Sequence, residues 1–157
     1  MSLKDTADAL AATPASAALV DHFWVVPTLQ SIHILAVAFV LTGSVVLGAR
    51  AFNLVGGDWT PQRWARRLLP GMWAGLAVLL LTGSTLVLAE PARELPNNSF
   101  QAKMAMLLVA VPLTVVLGHR LKRSEGRRAD GVTRGLAVLL VLVWMFIISA
   151  ARWIGYS

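Results

Sequence analysis

Three histidines are the first candidates for chemistry in this chain, which has no cysteine and therefore neither thiolate ligands nor iron–sulfur clusters. His22 precedes the first apolar segment, where a solvated or capping role is expected. His119 lies in the basic stretch GHRLKRSEGRR and is expected to reach water together with its neighbours. His33 differs, because it lies inside the apolar stretch FWVVPTLQSIHILAVAFVLTGSVVLGAR, at a depth of roughly 13 Å if each residue rises ~1.5 Å.

An imidazole at the depth of His33 needs a partner, because an unpaired polar group in hydrocarbon costs several kcal/mol. One interpretation is a hydrogen bond to a neighbouring helix. The other is axial ligation of haem iron, since imidazole is the usual proximal ligand and bundle interiors hold cofactors. Gln30 lies one turn earlier on the same helix face and would line the same site. His119 is the less favoured iron ligand, because it lies ~15 Å deeper than His33 when both helices start at one membrane edge.

Two basic side chains are expected on the same side of the membrane as His33. Lys103 lies in the first turns of the third apolar segment, and Arg152 lies in the last turns of the fourth. Each either reaches out to water or binds a haem propionate, a carboxylate that suits the arginine fork. Lys103 has two further possible roles, as a partner of Glu90 or Glu94 and as a group that approaches the iron in its neutral form.

The elements that position these side chains are apolar spans. Hydrophobic residues make up 57% of the 157 residues and charged residues 14%, against about 25% charged in a soluble domain. Four segments have the ~20 apolar residues that a membrane helix needs, at about 23–55, 68–89, 100–121 and 132–154. Because short polar links favour antiparallel neighbours, the sequence predicts an all-α integral membrane protein with an up-down-up-down four-helix bundle. Residues 1–22 form an N-terminal tail or surface helix, and 23–157 the four-helix transmembrane domain.

Small residues recur inside these spans. The sequence LTGS occurs at 41–44 and again at 81–84, and Gly71 and Gly75 form a GxxxG pattern. Small residues at such spacing let membrane helices approach closely, so helix–helix contacts are expected at both motifs.

The net charge of +6 does not indicate nucleic-acid binding, because the basic residues flank the apolar spans. They concentrate in the first and third links, which hold Arg63, Arg66, Arg67, Arg120, Lys122, Arg123, Arg127, Arg128 and Arg134, with Arg50 nearby. The positive-inside rule therefore predicts cytoplasmic first and third links and periplasmic termini, in a multi-pass protein of a bacterial inner membrane. The lipid bilayer is its first expected partner.

Two of the spans resemble a known group of proteins. VPTLQSIHILAVAFVLTGSVVLGARAF resembles the first helix of a family of small four-helix bacterial membrane proteins, with an early His, small residues and a terminal Arg. FQAKMAMLLVAVPLTVVLGHRLKR resembles the third helix, with Lys near its start and often His near its end. The better-known relatives are the HemJ-type protoporphyrinogen oxidases and the CopD-like copper-resistance proteins. This resemblance implies a haem b site that depends on the early His and the third-helix Lys, here His33 and Lys103.

Three functions follow as alternatives. The first is a haem b-binding inner-membrane protein that passes electrons between a periplasmic-side donor or quinone and a redox partner. The second is a haem-free accessory subunit of a larger membrane complex, and the third is an enzyme of the protoporphyrinogen oxidase type. A homo-oligomer is compatible with each. The spans contain no carboxylate relay of the kind that proton pumps use, and the chain has no phosphate-binding loop.

Overall fold

A computed structural model of the chain describes residues 3–56, 59–124 and 129–154. These residues form α-helices and no strand, which confirms the predicted all-α class. The long helices are α3 (Val25–Ala51), α4 (Pro61–Ala89), α6 (Asn98–Lys122) and α7 (Gly131–Ile154). The short helices are α1 (Leu3–Ala11), α2 (Pro14–Val20) and α5 (Pro91–Glu94).

Each long helix contains a segment of at least 22 residues that is long and apolar enough to cross a membrane. The chain is therefore a multi-pass membrane protein with four candidate spans. Helix α4 begins at Pro61, before the apolar span predicted from residue 68. The Thr60 hydroxyl accepts a hydrogen bond from the Arg63 backbone N–H, and Pro61 occupies the first turn, where its missing N–H is not needed.

The long helices pack as a ring in which α3 contacts α4, α4 contacts α6, α6 contacts α7, and α7 returns to α3. Consecutive spans are joined by short links and are neighbours, as in an up-down-up-down bundle. The described residues of the first link (52–56, 59 and 60) and of the third link (123, 124, 129 and 130) lie at one end, called here the basic end. The opposite end, where α1, α2 and α5 lie, is called the cap end. Arg127 and Arg128 of the basic cluster lie outside the described residues.

Helices α3 and α4 approach closely at glycines. A Cβ atom built on Gly75 would lie 2.7 Å from Cγ2 of Val40, and one on Gly43 would lie 2.8 Å from Cγ of Met72. Both distances are shorter than van der Waals contact, so a larger residue at either position would force the facing side chain or the helix itself to move. The contacts expected at the GxxxG pattern and at the first LTGS are thus present.

The buried core is concentrated toward the basic end. On α3, α6 and α7, none of the side chains at 25–35, 101–109 or 148–152 is buried. Helix α4 differs, because Leu79 and Thr82 are buried near the cap end. On these three helices the buried side chains therefore lie outside those stretches, at Phe100 and toward the basic end.

Polar side chains fix the helix ends at the basic end. Arg50 is buried and donates hydrogen bonds from Nε to the Trp59 carbonyl (2.9 Å) and from Nη1 to the Asn53 side-chain oxygen (2.8 Å). Asp130 caps α7 by accepting hydrogen bonds from the Thr133 hydroxyl and backbone N–H. These bonds, with a smaller effect of Arg120, hold the pKa of Asp130 below its ordinary value.

The N-terminal residues pack against the cap end. Helix α1 contacts α5, and α2 contacts α4. Ala7 of α1 is fully buried, and the Ser16 hydroxyl lies 3.4 Å from the carbonyl oxygen of Ala89, the last residue of α4. The segment predicted as a tail or surface helix thus forms two short helices beside the end of α4.

Candidate functional site

His33 is held by a side chain of the neighbouring helix. Its Nδ1 lies 2.7 Å from Oγ1 of Thr82, and the same oxygen lies 2.7 Å from the carbonyl oxygen of Val78. A hydroxyl has one proton, and a carbonyl can only accept, so Thr82 donates to Val78 and accepts from the Nδ1–H of His33. In the neutral imidazole this leaves the lone pair on Nε2, the nitrogen that is available to bind a metal or a proton.

Gly83, the next residue on α4, makes room for the imidazole ring. A Cβ atom at Gly83 would lie 3.3 Å from Cε1 of His33, tighter than an ordinary contact. Thr82 therefore accepts the hydrogen bond from His33, and Gly83, which has no side chain, lets the edge of the imidazole ring approach α4. Thr82 is buried, whereas His33 is half-buried and keeps part of its surface open.

Lys103 shares this region of the cap end with His33. It lies in the second turn of α6, half-buried, with Nζ 5.1 Å from the ring centroid of Phe100. Lys103 is close enough to His33 for their charges to interact. The carboxylate of Glu94 is likewise close enough to interact with the charge of Lys103. The other predicted carboxylate partner, Glu90, forms an ion pair with Arg93 instead, with 2.9 Å between Oε2 and Nη1.

The remaining predicted residues lie at the periphery or elsewhere. Gln30 is exposed one turn before His33, and Arg152 is exposed near the end of α7. His119 is exposed in the last turn of α6, at the basic end, and so lies far from His33. The structure thus brings His33 and Lys103 into one region and separates both from His119.

Sequence reasoning missed Thr82 and Gly83. The signal was present, since both belong to the second LTGS, but that motif was interpreted only as a source of helix–helix contacts. The orientation of α4 about its axis decides that these two residues, and not Ser84 or Thr85, face His33. Ser84 and Thr85 direct their hydroxyls to carbonyls of their own helix.

The side chains near His33 suit a metal ion that is already coordinated by a cofactor and needs few ligands from the protein. In the described part of the chain, no three or more His, Cys, Asp or Glu side chains group together as a bare metal ion would require. A porphyrin supplies four nitrogens, so haem iron needs from the protein one axial imidazole. His33 offers such an imidazole, with Nε2 unprotonated, in the half of the bundle where few side chains are buried.

One family model matches the chain, over residues 24–157, and it is described as a family of unknown function (DUF6644). Helices α1 and α2 precede the matched region, and all four candidate spans lie within it. No curated protein and no solved structure matches the chain. Because the match covers most of its length, the chain belongs to the DUF6644 family.

Proposed function

We propose that this DUF6644 protein binds haem b in the cap-end half of its bundle through His33 and passes electrons to or from a membrane partner. The observation that carries the proposal is the pair of hydrogen bonds at Thr82, which leaves Nε2 of His33 as the free lone pair. Haem-ligating and metal-ligating histidines are ordinarily oriented by a hydrogen bond from their other ring nitrogen. The bound haem would supply one-electron transfer.

The sparse burial of the cap-end half supports the same location. A macrocycle must contact side chains that the core of the protein leaves uncovered, and α3, α6 and α7 bury no side chain at 25–35, 101–109 or 148–152. Apolar surroundings also strengthen the electrostatic control of a redox centre by nearby charges. Gly83 and Thr82 would then form the wall that fixes the ring of His33.

Lys103 would provide positive charge beside the group. Its ammonium lies in electrostatic range of His33 and is half-buried, so it can pair with a propionate of haem. Glu94 would limit the net positive charge of this region. Gln30 and Arg152 are exposed at the same end and would act at the rim, where a quinone or a redox protein would approach.

The first test is the absorption spectrum of the wild-type protein, purified from haem-replete cells. We expect a Soret band that shifts when dithionite is added. A preparation without a Soret band would contradict the proposal and favour the haem-free accessory subunit. Turnover of protoporphyrinogen with oxygen or quinone by a pigmented preparation would instead favour the oxidase.

We propose further that the basic end faces the cytoplasm of a bacterium and that both termini are periplasmic. Four arginines are exposed at the basic end: Arg63, Arg66, Arg67 and Arg123. The positive-inside rule places such cations on the cytoplasmic side of the membrane.

A reporter that is active only in the cytoplasm is expected to be silent when fused after Ser157 and active when inserted between Arg127 and Arg128. The two fusions control for each other, because they differ only in the predicted side of the membrane. The reverse pattern would place His33 in the cytoplasmic half of the bilayer and would exclude a periplasmic-side electron donor.

A further inference from the structure

A groove runs along the outside of the bundle between α3 and α7, in the half nearer the basic end. All of its lining side chains are apolar, and they include Val45, Gly48, Phe52, Ala137, Val138 and Leu142. Val45, Val138 and Leu142 are 45%, 45% and 59% exposed. Because exposed side chains of a spanning helix face lipid, the groove opens to the bilayer and not to the bundle core.

The depression arises from small residues at the contact of the two helices. A Cβ atom at Gly48 would lie 3.8 Å from Cβ of Ala137, so the helices touch here without bulky side chains between them. Larger side chains on either side, among them Val45 and Leu142, form the walls. The groove is therefore an open apolar depression along which an extended hydrocarbon chain can lie.

A guanidinium lies where the groove reaches the basic end. Cζ of Arg134 is 5.7 Å from the ring centroid of Phe52, which lines the groove, and its Nε donates to the Ala51 carbonyl at 3.2 Å. In the part of the chain that the structure describes, no carboxylate forms an ion pair with Arg134. Asp130 accepts a hydrogen bond from the backbone N–H of Thr133 and forms an ion pair with Arg120. The two terminal amino groups of Arg134 thus carry a positive charge without a described counter-ion.

We propose that this groove binds one acyl chain of an anionic phospholipid from the leaflet at the basic end, with the lipid phosphate on Arg134. A guanidinium pairs with phosphate in a bidentate manner, and the bond from Nε to Ala51 holds the fork in place. The apolar groove and the charge at its mouth match the two parts of such a lipid. A free anion would contact only Arg134, and a lipid without a phosphate would contact only the groove.

The test uses the whole protein, purified in neutral detergent and stripped of lipid, with phosphatidylglycerol or phosphatidylcholine added in mixed micelles. Native mass spectrometry counts the retained lipid. We expect the wild type to retain one phosphatidylglycerol in preference to phosphatidylcholine. Arg134→Gln should weaken phosphatidylglycerol binding about fivefold, the effect of one cation near an anionic headgroup, and should weaken phosphatidylcholine binding less, because the choline cation offsets the charge of that lipid's phosphate.

Val138→Phe should reduce retention of both lipids, because it fills the groove and leaves Arg134 intact. Its matched control is Leu139→Phe on the same helix, where the side chain is also 45% exposed but does not line the groove. Arg123→Gln, which removes an exposed cation at the same basic end, is the control for charge. Both controls should bind lipid as the wild type does.

Several outcomes would overturn the proposal. If Arg134→Gln retains as much phosphatidylglycerol as the wild type, the lipid phosphate does not bind Arg134. Displacement of the lipid by inorganic phosphate alone would indicate an anion site without an acyl chain. A change of oligomeric state in Val138→Phe, with lipid retention unchanged, would show that the groove holds a second copy of this chain instead.

Discussion

Replacing His33 with Ala is expected to remove most of the bound haem while the protein still inserts and purifies as the wild type does. The iron would lose its axial imidazole, whereas the buried core would persist, because its side chains lie mainly toward the basic end. The substitution should also disturb the fold little, because His33 is only half-buried and Ala is well tolerated in membrane helices. The measurement is Soret absorbance per mole of protein in matched preparations.

Three further variants distinguish loss of the iron ligand from general damage to the fold. Thr82→Val keeps the shape of the side chain but removes the acceptor of Nδ1–H, and haem affinity should fall about 10–100-fold. Thr85→Val is its matched control, since the Thr85 hydroxyl bonds to the Leu81 carbonyl of its own helix at 2.8 Å. His119→Ala should retain its pigment, because that residue lies at the basic end.

The outcome that contradicts the assignment is a full, unshifted Soret band in His33→Ala. The axial ligand of the iron would then be another residue, and His33 would serve only to join α3 to α4 through its hydrogen bond with Thr82. Lys103→Ala should give partial loss of pigment or a shifted reduction potential, because it removes a nearby charge without removing the imidazole. An altered absorption spectrum in Lys103→Ala would indicate that Lys103 touches the iron.

Much of the fold follows from the sequence, because membrane spans have a strong local signal. Apolar runs of ~20 residues and short polar links determine four antiparallel helices. Where α4 begins depends on the cap at Thr60 and on Pro61, which hydropathy does not register. The position of the core toward the basic end is a property of four helices together, and no single span reveals it.

The site was predictable in part. His33 is distinguished by its depth in an apolar stretch, and Lys103 by its place at the start of another, so their convergence follows from the order of the helices. Thr82 and Gly83 depend on how α4 is rotated against α3, which periodicity alone does not determine. The second LTGS was the available signal, but small and hydroxyl residues serve both packing and hydrogen bonding in membrane helices.

The contact between Gly75 and Val40 controls the spacing of α3 and α4 beneath the site. Val40 and His33 are seven residues apart on α3, and Gly75 and Thr82 are seven apart on α4, or about two turns on each helix. The glycine contact therefore lies directly below the bond from His33 to Thr82. Separation of the helices at Gly75 should lengthen that bond.

Gly75→Ala is therefore expected to destabilise the protein by about 1–3 kcal/mol, the usual cost of overpacking. The new Cβ would lie 2.7 Å from Cγ2 of Val40, a fully buried β-branched side chain with little rotamer freedom, so the helices must move. Gly43→Ala is the matched control, because its Cβ would meet the flexible side chain of Met72, which can adjust. The measurement is the midpoint of thermal unfolding in detergent, recorded together with pigment content.

Val40→Ala combined with Gly75→Ala provides the decisive comparison. Removal of Cγ2 relieves the overlap, so the double variant should regain part of the stability and the pigment that Gly75→Ala loses. Val40→Ala alone should lose stability through the cavity that it leaves in the core. If Gly75→Ala unfolds at or above the wild-type midpoint, α3 and α4 are not in close contact there, and the spacing inferred for His33 and Thr82 fails with it.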